Sequence, residues 1–192
     1  MPHEIVLDIE TQNTFQEVAS SDCRLLKVSL VGIHDAERGY SAFREADLPR
    51  LWPQLENARV VIGYNIKGFD FPVLNGYYAG DLLRIPTIDL MEEIQKFLGF
   101  RVKLDNVAEA TLGTGKSGNG LQAIQYFRNG QWDLLEKYCL DDVRITRELF
   151  DYGLAHKVLS VRDRSGAKIE VPVNFELPVA ASRQGINLTM PL

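Results

Sequence analysis

Three groups of residues in this 192-residue chain have types and spacings that could bring several carboxylates to one place. The first is Asp8-x-Glu10, within Glu4-Ile5-Val6-Leu7-Asp8-Ile9-Glu10. Read as a strand, that segment puts Ile5, Leu7 and Ile9 on one face and Val6, Asp8 and Glu10 on the other, so both carboxylates project together. Two like charges beside apolar neighbours repel and resist desolvation unless a cation compensates them. Hard ions such as Mg²⁺ and Mn²⁺ prefer oxygen donors of this kind. The second group is Asp70 in Gly63-Tyr64-Asn65-Ile66-Lys67-Gly68-Phe69-Asp70-Phe71-Pro72, where a strand ends, a turn follows and a helix begins. An Asp there can cap the helix and also face a site. The third is Tyr138-Cys139-Leu140-Asp141-Asp142, in which Tyr138 and Asp142 share a helical face one turn apart. Asp141 points about 100° away from Asp142 and is assigned to solvent. Taken singly, each group has a plainer reading. Asp8 and Glu10 could be the acidic edge of an exposed strand, Asp70 a helix cap, and Tyr138 a packed aromatic beside a solvated, Arg-paired Asp142.

The elements that must position these residues can be read from hydrophobic periodicity. Residues 25–33 and 39–43 are strand-like and form an antiparallel meander with the first segment. Asp47 opens a helix through Leu48, Leu51, Trp52 and Leu55, with Pro49 in its first turn. Residues 59–64 suit a strand buried on both faces, followed by a helix over 71–79. Residues 85–90 form a strand that continues into a helix over 91–98. Two short helices follow over 104–112 and 120–128, then a long one from 131 to about 155. Residues 158–161 and 169–173, separated by Arg164-Ser165-Gly166, read as a hairpin. This gives one α/β domain over 1–155, a hairpin over 156–175 packed on the same domain, and a tail over 176–192 that frays or docks loosely.

Composition bounds the function. The chain is 45% hydrophobic and 24% charged, which suits a globular domain and not disorder. No run nears the roughly 18 apolar residues of a membrane span. The start lacks the basic and apolar regions of a secretory signal, and Cys23 and Cys139 are too few for a disulfide scaffold. A reducing, cytoplasmic setting is expected. The formal charge of −5 is opposite in sign to that of a protein wrapping duplex nucleic acid through many phosphates, yet it does not exclude one local site. Two bound divalent cations would offset four of those charges.

Taken together, Asp8-x-Glu10, Asn65-x3-Phe69-Asp70 and Tyr138-x3-Asp142 resemble, in order and spacing, the three motifs of the DEDD 3′–5′ exonucleases. Tyr four residues before the last Asp marks the tyrosine branch. The histidine branch would need His there or one residue earlier, where Lys137 stands. The wording is closest to the proofreading domains of family B DNA polymerases and to the stand-alone ribonuclease-H-like nucleases related to them. Leu104-Asp105-x-Val107-Ala108 shares that likeness. The resemblance covers about residues 4–152 and leaves no room for a polymerase palm or fingers.

The resemblance implies a ribonuclease-H-like α/β fold, a mixed five-stranded sheet flanked by helices, to which the hairpin is added. It also implies a metal-dependent enzyme that hydrolyses phosphodiester bonds at the 3′ end of single-stranded or frayed DNA or RNA, using two Mg²⁺ or Mn²⁺ ions. Asp8 would bridge the ions, Glu10 and Asp142 would complete one site, and Asp70 would hold the second ion partly through water. Tyr138 would orient the attacking water, since a neutral phenol is a poor base at neutral pH. Asn65 would hydrogen-bond the substrate backbone, with Thr11 and Lys67 as further contacts. Phe69 would stack on a base or belong to the core. Arg101, Lys103 and Lys116 are phosphate contacts or solvated charges. A monomer away from membranes is expected, with any polymerase or helicase partner left open. The alternative is a catalytically silent module of the same fold that binds nucleic acid or serves as a scaffold. Retention of four acids and Tyr138 argues against it. Ala110-Thr111-Leu112-Gly113-Thr114-Gly115-Lys116-Ser117 and Gly113-x-Gly115-x-x-Gly118 match phosphate-loop and dinucleotide patterns. Those patterns need a preceding strand, and the segment before them reads as helix, so a glycine-rich connector is expected.

Overall fold

The alternation of the first segment produces β1 (Glu4–Thr11), the middle strand of a five-stranded sheet, in a computed structural model that describes residues 3–115 and 120–177. β2 (Val28–Asp35) and β3 (Gly39–Arg44) complete an antiparallel meander on one side. On the other side β4 (Val60–Gly63) and β5 (Thr87–Asp89) run parallel to β1, giving the order β3-β2-β1-β4-β5. All four β4 residues are buried, which is why that segment is uniformly apolar. The fold is the expected mixed sheet flanked by helices, with a C-terminal hairpin.

Period two divides β1 between two cores. Ile5, Leu7 and Ile9 pack with Leu48, Leu51, Leu55 and Phe71 beneath α1 (Trp52–Asn57) and α2 (Asp70–Leu74). Val6 and Ile62 pack on the opposite side with Val107 and Ala108 of α4 (Leu104–Leu112) and Val143, Leu149 and Phe150 of the long α6 (Trp132–His156). α3 (Leu90–Leu98) follows β5 directly, and α5 (Gly120–Arg128) lies against α6 through Ala123, Leu135 and Cys139.

Three departures from the sequence expectation have a clear local reason, and β5 also starts two residues later than expected, at Thr87. β2 starts at Val28 instead of residue 25, because Cys23–Leu25 form a 3-10 turn whose first free N–H, that of Arg24, donates to the Asp22 carboxylate. The helix opened by Asp47 divides into a 3-10 segment (Glu45–Arg50) and α1, since Pro49 and Pro53 each lack the N–H that a continuous helix needs. α2 ends at Leu74 instead of residue 79. Asn75 caps it, and its side chain is engaged by Asp81 and the Leu82 N–H.

The hairpin consists of β6 (Val158–Arg162) and β7 (Lys168–Pro172). The Asp163 carboxylate shapes its turn by accepting the Ser165 and Ala167 N–H groups at 2.8 and 3.0 Å. Leu159, Val161, Val171, Val173 and Phe175 complete the second core, and Phe175 lies against Phe150 with centroids 5.4 Å apart. α4 grips the outer edge of β6. Asn106 exchanges two hydrogen bonds with the Arg162 backbone, and Thr111 exchanges two with Ser160. Residues 178–192 of the expected tail lie outside the described residues. Among those described, no helix is long and apolar enough to cross a membrane.

Candidate active site

β4 pairs with β1 only as far as Val6, so β1 continues past its parallel neighbour. α2 takes up that side. Its first residue, Asp70, accepts the Ile9 N–H at 3.1 Å, between the two acids of the first motif. On the other face α6 comes close to the sheet because Gly32, paired in register with Asp8, carries no side chain. A Cβ at Gly32 would lie 2.8 Å from Cys139 Sγ and 3.1 Å from Val143 Cγ2. That close approach sets Asp142 over β1, and one ligand oxygen each from Asp8, Glu10 and Asp142 falls within 4.8 Å of the others. Asp70 stands outside this trio but opens into the same cleft, a cavity of about 630 Å³ that Tyr138 and Thr11 also line.

Glu10, Asp70, Tyr138 and Asp142 are all buried, and Asp8 is half-buried. Burial pushes the Asp70 carboxyl up to about 8, and the negative charges of Asp89 and Asp142 add to the effect. Burial likewise pushes the Cys139 thiol well up, reinforced by Asp8, Glu10 and Asp142, so it is a neutral S–H pointing 3.6 Å from the Asp8 carbonyl oxygen. Negative potential is thus concentrated at the end of β1. Convergent, partly desolvated oxygen donors carrying excess negative charge fit a hard divalent cation.

The loop before Asp70 is held from below. Asn65 adopts a left-handed backbone (φ 65°), and its N–H donates to Asp89 Oδ1 at 2.8 Å. The Lys67 N–H donates to Asp89 Oδ2 at 3.1 Å, and Asp89 also caps α3 through Met91 and Glu92. Asp89 therefore positions the second motif, a role the sequence reading missed. A usable signal existed, because Asp89-x-x-Glu92 ahead of an apolar run is a helix-start pattern.

The expected substrate contacts separate. Thr11 lines the cleft at a register shift in β1, and its hydroxyl donates to the Asn13 carbonyl. Phe69 also lines it, edge-on to Phe15 with centroids 6.1 Å apart, while sharing the first core. Phe15 is 39% exposed in an aperiodic loop, where no sequence pattern marks it. Lys67 turns elsewhere. Its Nζ pairs with Glu92 at 2.6 Å, and it lines a separate cavity of about 310 Å³. The Asn65 side chain lies over Gly68, at the loop surface. Lys103 lines the acidic cleft and Arg101 an adjoining cavity, while Lys116 lies outside the described residues. Gly113 follows helix α4 and not a strand, as the connector reading expects, while residues 116–118 of the glycine-rich segment lie outside the described residues.

A sequence model of the RNase_H superfamily matches residues 5–153. No curated protein matches the chain significantly. Among solved structures, the family B DNA polymerase of the hyperthermophilic archaeon Pyrobaculum calidifontis is similar in fold, with a TM-score of 0.61 and 20% sequence identity. The similarity covers 80% of this chain and 24% of the polymerase, so the chain spans about a quarter of that protein's length.

Proposed function

The chain belongs to the RNase_H superfamily, and from that premise we propose that it is a metal-dependent nuclease removing nucleotides from the 3′ end of single-stranded or frayed nucleic acid. The observation that carries this reading is the convergence of Asp8, Glu10 and Asp142 within 4.8 Å, in a cleft that Asp70 and Tyr138 also line. Asp8, Glu10, Asp70 and Asp142 would hold two Mg²⁺ or Mn²⁺ ions. Such ions supply an acidified water and neutralise charge on the leaving 3′-oxygen.

The chain's own contribution is orientation. β1 fixes Asp8 and Glu10 on one face, the Ile9 N–H fixes Asp70, and the packing of α6 on β2 fixes Asp142. Tyr138, one helical turn before Asp142, serves as a hydrogen-bonding guide for the attacking water. Phe69 and Phe15 form an apolar wall of the cleft, suited to the flat face of a terminal base, and stacking of this kind accepts any base. A few contacts at one strand end are compatible with an acidic protein.

The test is digestion of matched 5′-labelled DNA and RNA oligonucleotides with Mg²⁺, Mn²⁺ or chelator. A ladder shortening from the 3′ side only when metal is present is the expected result, and the two substrates read out sugar preference. Asp8→Ala should abolish the ladder, and Tyr138→Phe should slow it by about 10²-fold or less, since the phenol orients and does not transfer a proton. An Asp8→Ala protein with wild-type activity overturns the assignment.

A further inference from the structure

A second cavity, of about 770 Å³, adjoins the acidic cleft, and Lys103 lines both. The two are joined structurally as well, because the hydroxyl of Tyr64, a cleft residue, donates to the carbonyl of Val102 at 2.6 Å, and Val102 lines the second cavity. One wall of the second cavity is the connection between α3 and α4, carrying Phe100, Arg101 and Lys103. The other is the hairpin turn, carrying Arg162, Asp163 and Arg164. All four cationic side chains are exposed, and so is Phe100, at 54%. Among the described residues, no carboxylate lies within ion-pair distance of Arg101, Lys103 or Arg164, while Arg162 has Glu109 at 3.5 Å, with the two side chains 44% and 61% exposed. The one acid lining the cavity, Asp163, is occupied by the turn itself. In a chain of net charge −5, this clustering is local and contrary to the overall sign.

The position of the cluster is fixed. Asn106 and Thr111 bind β6 to α4 through four hydrogen bonds, so the hairpin's arginines hold a set distance from Lys103 at the head of α4. Arg101 reaches the opposite way. Its Nη2 lies 3.4 Å from where a Cβ of Gly68 would stand, and Asn65 Oδ1 lies 2.5 Å from the same point, so the guanidinium sits beside the second-motif loop. Positive charge therefore extends from Arg101 beside the second-motif loop, through Lys103, which lines both cavities, to Arg162 and Arg164 at the hairpin turn. A phosphodiester backbone matches it in charge, and Phe100 offers a flat apolar surface for a base.

We propose that this groove holds the single-stranded nucleic acid upstream of the nucleotide in the acidic cleft, with the C-terminal hairpin as its outer wall. The proposal rests on reading the cleft as a nuclease site, and it gives the hairpin, which lies beyond the residues matched by the superfamily, a part in substrate binding.

Fluorescence anisotropy with 5′-labelled oligothymidylates of three and twelve nucleotides tests it. The measurement is made in chelator, so that no strand is consumed. The twelve-mer should bind more tightly than the trimer. Arg162→Ala combined with Arg164→Ala should weaken twelve-mer binding on the order of tenfold, and should lower the slope of log affinity against log salt by about 1.4, from about 0.7 per phosphate contact on single strands. Arg38→Ala combined with Arg50→Ala, two exposed residues whose loss removes equal charge outside the groove, should leave both values as in wild type. Arg164→Glu alone keeps the test open if loss of Arg162 loosens the hairpin, since its effect should be as large while thermal unfolding stays unchanged. Equal affinity for the two lengths, or twelve-mer binding insensitive to both hairpin variants, overturns the groove. Metal-dependent digestion scored in parallel separates the two readings. A protein that digests strands without hairpin-dependent binding loses only the groove, and one that binds through the hairpin yet digests nothing loses only the nuclease assignment.

Discussion

Asp70 closes the backbone of β1 by accepting the Ile9 N–H, and it also faces a cleft already crowded with negative charge. Its protonation therefore reports whether a cation is present. With a native value near 8 and an ordinary unfolded value near 4, the metal-free native state holds the Asp70 proton more firmly than the unfolded chain does. The native advantage is then complete below about pH 4 and is lost as pH rises toward 8. In chelator, the thermal midpoint should fall across that window, and Asp70→Asn should flatten the fall. Mg²⁺ or Mn²⁺ should raise the midpoint more at pH 8 than at pH 5. Equal stabilisation at both values would exclude cation binding beside Asp70. At this scale, Asp8, Glu10, Tyr138 and Asp142 were legible because spacings of two and four translate directly into shared faces of a strand and a helix. Asp70 was legible because a strand–turn–helix signature surrounds it. Phe15 was not, since its place in the cleft depends on the path of a loop without periodicity. The direction of the Lys67 side chain also escaped the sequence reading, because Glu92, its partner, comes from a different element.

Among the elements, the packing of α6 on β2 decides the geometry of the site, and one missing side chain permits it. Gly32→Ala would place a methyl group 2.8 Å from Cys139 Sγ and 3.1 Å from Val143 Cγ2, both buried, so α6 must shift outward and carry Tyr138 and Asp142 with it. The variant should lose about 1–3 kcal/mol in urea denaturation, the usual cost of overpacking a core. Activity should fall further than stability alone explains, because a displacement near 1 Å at reacting groups can cost about 10²-fold. Combining it with Cys139→Ala should recover part of both. The strands and most helices could be read from periodicity, down to the boundary at Gly39 and the continuation of β5 into α3. The 3-10 segments and the short α2 could not. They follow from capping by Asp22 and Asn75 and from two prolines, choices of hydrogen-bond partner that hydrophobic spacing does not encode.

For the whole molecule, the superfamily match ends at residue 153, whereas the second core continues through Leu159, Val161, Val171, Val173 and Phe175. Burying each of these side chains contributes about 1.5–3 kcal/mol, together comparable with the roughly 5–15 kcal/mol that holds an average domain folded. A chain ending at residue 156 should therefore bind a hydrophobic dye, melt at least 10 °C lower on the order-of-magnitude relation for a domain of this size, or fail to remain in solution. An unchanged melting curve would show that the hairpin is dispensable to the fold. The sequence identified a hairpin there from its turn and its alternation. It gave no indication of which helices the hairpin covers, because that depends on residues about fifty positions away, Asn106 and Thr111 against Arg162 and Ser160.

Those same two side chains also bear on self-association. A ribbon rich in Val and Ile with an open backbone edge can recruit strands from other copies of the chain. On β6 the outward Ser160 and Arg162 groups are already taken by Asn106 and Thr111, so a passing strand would have to displace α4 before it could add. Concentrated protein is thereby protected along this edge from growing into a shared, intermolecular sheet.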